Sequence, residues 1–167
     1  MSLAVYNPRT GEADYTIEPL DGAAIAALAQ TLRKGQQAWA AAAPAVRATY
    51  LLSFAEAIGR HREALTTALT ADTGRAGISA IEVDSVIQTL IRWANGAPEL
   101  IRQHQPSGCP TAIATITTST RLVPYALVGV ISPWNFPLTL ALIDAIPALA
   151  AGCSVLIKPS EVTPRFI

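Results

Sequence analysis

The chain has 167 residues, and its 12 Lys+Arg against 12 Asp+Glu give a formal net charge of +0. That is the length of roughly one domain, and the balance excludes the electrostatic footprint of a nucleic-acid or membrane-surface binder. Cys109, Cys153, His61 and His104 are too few and too scattered for a disulfide framework or a metal site, so no metal is expected.

The opening VYNPRTGEADYTI predicts a hairpin, with Asn7-Pro8 and Thr10-Gly11 as turn chemistry and Tyr15 and Ile17 alternating on the return strand. Asp21 is a plausible N-cap for a helix over 21–41, with Leu20 and Ile25 placed as a hydrophobic staple. Ile25, Leu28, Leu32 and Trp39 fall near one face of it. Pro44 can open a second helix at its first position, with Val46, Tyr50, Leu51, Phe54 and Ile58 as its apolar stripe. A shorter helix over 62–71 ends at Asp72-Thr73-Gly74. A long one over 78–103 carries Ile78, Ile81, Val86, Leu90, Trp93, Ala97 and Leu100, and Gly96 and Pro98 predict a kink or break in it. Residues 106–110 read as a loop. TAIATITTSTRLV at 111–123 is β-forming without a wide apolar face, as suits a protruding or interface strand pair.

ALVGVI at 126–131 is a short continuous apolar run, the pattern of a parallel strand buried on both sides. The segment 138–151 reads as a buried helix, kinked at Pro147 and stopped at Gly152. SVLIK at 154–158 is a second buried strand. Strand, helix and strand within about 30 residues make a βαβ unit, so the fold class is α/β. Only 14% of residues are charged against 51% hydrophobic, below the ~25% charged of an ordinary soluble domain, which points to surface covered by a partner or by more chain. The N-terminus lacks a charged start and apolar run, and no stretch of about 18 apolar residues appears. A cytoplasmic setting without membrane association is therefore expected.

The chemistry-bearing segments lie at the two strand ends: SPWNFP at 132–137 and KPSE at 158–161. With the intervening AAG, with NPRTGE near the start, with Trp39 followed by Arg47 and Leu51, and with DTGR at 72–75, they resemble the NAD(P)-dependent aldehyde dehydrogenase superfamily, in its N-terminal part. The resemblance implies helices around an incomplete parallel Rossmann-like sheet plus a β-ribbon for oligomerisation. It divides the chain into a hairpin and helical part (1–110), the ribbon (111–124) and the first βαβ unit of the dinucleotide-binding sheet (125–167). No G-x-G-x-x-G follows the first strand, and the family resembled holds its cofactor differently.

By that resemblance, Ile131, Ser132, Pro133 and Trp134 pass along the dinucleotide, and Lys158, Pro159, Ser160 and Glu161 reach its adenosine ribose. A carboxylate at Glu161 accepts from both ribose hydroxyls and repels a 2′-phosphate, favouring NAD, while Lys158 leaves NADP open. Asn135 is the implied catalytic residue, donating to the oxygen of the cysteine thiohemiacetal formed from an aldehyde; the competing reading makes it the cap of the following helix. Hydride passes to the nicotinamide and water releases the acid. The nucleophilic cysteine and the general base lie beyond residue 167 in the family, so the chain alone is expected to be inactive. Cys153 reads as core and Cys109 as incidental. Asp144, three residues before Pro147, stands where many members carry a lysine linked to proton movement. The partners implied are an aldehyde substrate and, in the complete protein, further copies of itself. The alternatives are a non-catalytic fragment acting as a nucleotide-binding or interaction module, and a relative that passes its acyl group to coenzyme A.

Overall fold

The computed structural model describes residues 2–167. Strands β1 (Leu3–Tyr6) and β2 (Ala13–Ile17) pair antiparallel, and the Gly11 N–H, at φ +75°, closes their turn on the Asn7 carbonyl. Helix α1 (Gly22–Ala41) starts where the Asp21 carboxylate accepts the Ala24 N–H at 2.7 Å, satisfying one of the four free donors of a helix start. Pro44 opens α2 (Pro44–Arg60). Helix α3 (Arg62–Thr73) stops at Gly74, which is left-handed at φ +70°, a conformation that favours glycine.

Helix α4 (Ala76–Gln103) is the spine. It runs without interruption through Pro98, so of the kink or break expected at Gly96–Pro98 the break does not occur. Ala94 and Ala97 are buried immediately before the proline, and this anchoring outweighs one missing backbone bond. Val83, Val86, Leu90, Ala94 and Ala97 join Leu51, Ala55 and Ile58 of α2 and Leu69 of α3 in one core. The buried face of α2 is therefore Arg47, Leu51, Ala55 and Ile58, whereas Val46, Tyr50 and Phe54 of the expected stripe are exposed. The expected staple is also open, with Leu20 and Ile25 both exposed.

Beyond α4 the Thr-rich segment forms only a short antiparallel contact, β3 (Cys109–Pro110) with β4 (Thr117–Thr118). The Thr111 hydroxyl occupies the intervening turn, bonded to Ile113 and Ile116 backbone groups, and such local bonds compete with strand pairing. Strands β5 (Leu127–Ile131) and β6 (Ser154–Lys158) then pair parallel, Leu127 opposite Ser154 and Ile131 opposite Lys158. Their crossover is two helices, α5 (Pro137–Leu142) and α6 (Ala145–Ala151). The break falls at Ile143–Asp144, not at Pro147, because Pro147 lies in the first turn of α6, where its missing N–H had no helical partner to lose. Burial of the strands on both sides is not reached: in β5 only Val130 is buried and Ile131 is 81% exposed, while β6 is half-buried.

Helix α6 ends at Gly152, left-handed at φ +102°. A Cβ there would stand 3.3 Å from the Ala40 Cα and 3.5 Å from the Arg47 guanidinium carbon. Side chains from the first two helices take up the carbonyls at this end. Trp39 Nε1 donates to Leu149 O, Arg47 Nε to Ala150 O and Gln36 Nε2 to Gly152 O, each at 2.9 Å. Arg47 also donates to the Ala42 carbonyl, and Ser154 Oγ to Leu32 O at 2.8 Å. At the far end of the chain, Arg165 donates to buried Asp72 from its backbone at 2.8 Å and from Nε at 2.5 Å, pairs with Asp14, and lies 5.1 Å from the Tyr15 ring centroid.

Removing Arg47 strands a buried carbonyl at the end of α6 and a half-buried one at the end of α1. Arg47→Ala is expected to destabilise the chain by about 2–4 kcal/mol, and Arg47→Lys by less, since one ammonium replaces a fork. Urea denaturation followed by tryptophan fluorescence measures both, and a midpoint unchanged in Arg47→Ala contradicts the assignment.

Candidate functional site

The parallel register brings the two motif segments to one rim, beyond the carboxyl ends of β5 and β6, where open α/β sheets present ligands. The ladder continues one residue past the strands, as the Ser132 N–H donates to Lys158 O at 3.0 Å. Ser132 is buried and its hydroxyl donates to Pro137 O at 3.0 Å, closing the 132–137 loop on itself. Buried Thr163 donates from its hydroxyl to Trp134 O at 3.3 Å, tying that loop to the segment after KPSE. Ile131, Pro133 and Trp134 are exposed and form an open apolar shelf.

Across the shelf, Lys158 Nζ donates to Glu161 Oε2 at 2.5 Å, and both side chains are more than half exposed. The Lys158 ammonium holds the Glu161 carboxyl below its ordinary value. Pro159 is half-buried, while buried Ser160 accepts the Val162 N–H at 3.2 Å and shapes the turn. Of the eight residues expected to line the dinucleotide, five therefore face outward as side chains on the shelf or across it, and Ser132 and Ser160 serve the backbone.

Asn135 is half-buried in the middle of the loop. The cap of α5 is Phe136, with no side-chain cap bond, so Asn135 does not cap the helix. Its carbonyl accepts from the Arg75 guanidinium, which also stacks 5.1 Å from the Phe136 ring centroid. Its side-chain amide makes no hydrogen bond among the described residues. The free N–H groups at the start of α5 are served from α4, where Glu82 Oε1 accepts the Thr139 N–H at 2.8 Å. Sequence reasoning missed Glu82 and Arg75, whose partners lie 57 and 60 residues away. The available signal was an acid on the apolar face of α4, between Ser79 and Val83, both buried.

The aldehyde dehydrogenase family model matches residues 1–167. The chain belongs to the aldehyde dehydrogenase family. A solved protein from Anabaena variabilis ascribed to the aldehyde dehydrogenases superposes with a TM-score of 0.94 and 46% identity, over 99% of this chain and 35% of its own. Betaine aldehyde dehydrogenase of Staphylococcus aureus, solved in complex with NAD+, superposes at 0.90 with 27% identity, over 99% of this chain and 33% of its own. A Mycolicibacterium smegmatis protein ascribed to the NADP(+) succinate-semialdehyde dehydrogenases is 34% identical over 143 residues, 84% of this chain and 27% of its own. The chain thus spans about a third or less of the length of these relatives.

Within this aldehyde dehydrogenase segment both cysteines stand away from the rim. Cys153 is buried behind Gly152 and burial pushes its thiol up, away from the thiolate a nucleophile needs. Cys109 is half-buried in β3. Asp144 is exposed at the break between α5 and α6. No helix among the described residues is long and apolar enough to cross a membrane.

Burial raises the Glu82 carboxyl above its ordinary value of 4.5, against the lowering pull of the Thr139 and Leu138 N–H groups, the Thr139 hydroxyl and the Arg75 charge. The folded chain therefore holds this proton more tightly than the unfolded one. The stability Glu82 contributes is fully present below the unfolded value and is lost as the pH rises through the folded one. Glu82→Gln does not titrate and lacks that loss. The stability of the Gln variant minus that of the parent is expected to grow as the pH rises from about 4 to about 7. Urea denaturation in a pH series reads this difference, and a flat difference contradicts it.

Proposed function

We propose that this segment supplies the cofactor shelf and the oxyanion donor of an enzyme that oxidises an aldehyde to its acid with NAD(P)+. The carrying observation is the arrangement of the rim: a half-buried asparagine whose amide has no partner among the described residues stands on the loop after β5, next to an open shelf and an exposed carboxylate. A side-chain amide donates without a net charge to reorganise, which suits an oxygen that gains charge only in the transition state. The shelf of Ile131, Pro133 and Trp134 offers apolar area for a flat ring system. Glu161 has carboxylate oxygens in solvent to accept from vicinal hydroxyls, and Lys158 beside it offsets the charge of any phosphate placed there. These residues fit a dinucleotide, whose nicotinamide would accept the hydride.

The NAD+ complex of the Staphylococcus aureus relative supports NAD, and the NADP(+) relative supports tolerance of the phosphorylated form. Glu161 favours the former. The family's nucleophilic cysteine and general base are not among residues 1–167, so the segment orients and stabilises but does not attack. Exposed Ile113 and Ile116 in the turn between β3 and β4 support assembly with further copies of the chain.

In the enzyme carrying this segment, Asn135→Ala is expected to lower kcat by about 10²–10³-fold with little change in NAD+ affinity. Steady-state kinetics and a binding titration measure the two, and an unchanged kcat removes Asn135 from the chemistry. Glu161→Ser removes the charge facing the 2′ position and is expected to move the NAD/NADP ratio of kcat/KM toward NADP; a constant ratio places Glu161 elsewhere. The isolated 167-residue chain is expected to form no NADH from an aldehyde, and turnover that disappears on mutating Cys153 would overturn the assignment of the nucleophile.

A further inference from the structure

Five backbone groups of the segment 132–139 are held in place by partners. The Ser132 N–H is on Lys158 O, Trp134 O accepts from the Thr163 hydroxyl, and Pro137 O accepts from the Ser132 hydroxyl. Asn135 O accepts from the Arg75 guanidinium and the Thr139 N–H is on Glu82. The first three bonds come from the end of β6, from the segment after KPSE and from the loop itself. The last two come from one helix, whose cap is Arg75 and whose buried face carries Glu82. Seven residues are two helical turns, so these two charged heads lie on the same side of α4 with their backbones about 10 Å apart. They reach the loop immediately at and just after Asn135.

The contacts are matched to the groups they meet. Glu82 is 3% exposed, and its carboxylate meets the free N–H groups at the start of α5, where a negative charge is stabilised. Arg75 grips the Asn135 carbonyl while its guanidinium lies over the Phe136 ring, holding the peptide unit after Asn135, and the Thr163 hydroxyl on Trp134 O holds the one before it. Amid these bonds the Asn135 amide is the group left uncommitted. A donor that must lie about 3 Å from a developing oxyanion gains its effect from being held there before the reaction.

We propose that Glu82 and Arg75 are positioning residues that hold the Asn135 amide in donor geometry, an inference that rests on the reading of Asn135 as oxyanion donor. Neither touches the reacting atoms. Their loss lets the loop drift without removing the amide, so it lowers kcat less than loss of Asn135 itself and leaves the KM for NAD+ close to the parent value. The effect requires Asn135 to be present.

The test is a double-mutant comparison in the full enzyme, assayed with NAD+ and a short aliphatic aldehyde. Glu82→Ala and Arg75→Ala are made in the parent and in Asn135→Ala. The expected result is a kcat loss of about 10–100-fold for each variant in the parent, little further loss in the Asn135→Ala background, and partial recovery in Glu82→Gln, whose side-chain oxygen still accepts. If kcat falls by the same factor in both backgrounds, or does not fall in the parent, the positioning role is wrong while the oxyanion reading stands. If Asn135→Ala itself leaves kcat unchanged, the oxyanion reading fails first and takes the inference with it. Should Glu82→Ala not fold, Arg75→Ala, altered at a half-buried position, decides by the same comparison.

Discussion

The carbonyl oxygens of Leu149, Ala150 and Gly152 are the joint between the helical part of the chain and its strand pair. A helix end leaves carbonyls without partners, and burying them unpaired costs about 1–3 kcal/mol each. Here the donors come from Trp39, Arg47 and Gln36, more than 100 residues earlier. Because these bonds are short and directional, they set where α1 and α2 sit relative to the end of α6. The start of β6 follows from that placement through Ser154 on the Leu32 carbonyl. The register of β6 against β5 then fixes which residues reach the rim.

The rim divides the labour of its charges in two. Glu82 and Arg75 are built into the fold, one fully buried on a backbone N–H at the start of α5 and one half-buried on a backbone carbonyl of the loop. Lys158 and Glu161 stand in solvent, where an ion pair contributes about 0–1 kcal/mol. The fold does not depend on them. They are free to meet a ligand, and substitutions there alter recognition with little structural cost. The same contrast separates the two serines from their neighbours: Ser132 and Ser160 turn inward to serve the backbone, and Trp134 and Ile131 turn outward.

What was legible in the sequence was local chemistry. Asp21, Pro44, Gly74 and Gly152 mark helix ends because a cap or a left-handed turn depends on one or two adjacent residues, and each stands where expected. The two strands and their motifs were readable for the same reason. The stripe of α2 was misread because Tyr50 and Phe54 are as apolar as Leu51 and Ile58, and only the position of α4 decides which face is covered. The α5–α6 break was assigned to Pro147 because a proline is visible in sequence, whereas its place in the first turn of a helix is not. Arg47, Glu82 and the Asp72–Arg165 pair were invisible as structural elements: their partners lie 57 to 103 residues away, and nothing in composition or period connects them.

Arg165 reaches back across almost the whole chain, to Asp14 and Tyr15 of the first hairpin as well as to Asp72. A hairpin forms within about 1–10 μs of its residues being free, but two isolated strands are marginal in water. During synthesis at roughly 5–20 residues per second, β1 and β2 leave the ribosome well before Arg165 and then wait roughly ten seconds for the guanidinium that fastens them. The helices α2 to α4, whose contacts are closer in sequence, can settle in that interval. The hairpin is thus made well before it is secured, and a vectorially made chain keeps β1 and β2 available until Arg165 has been added.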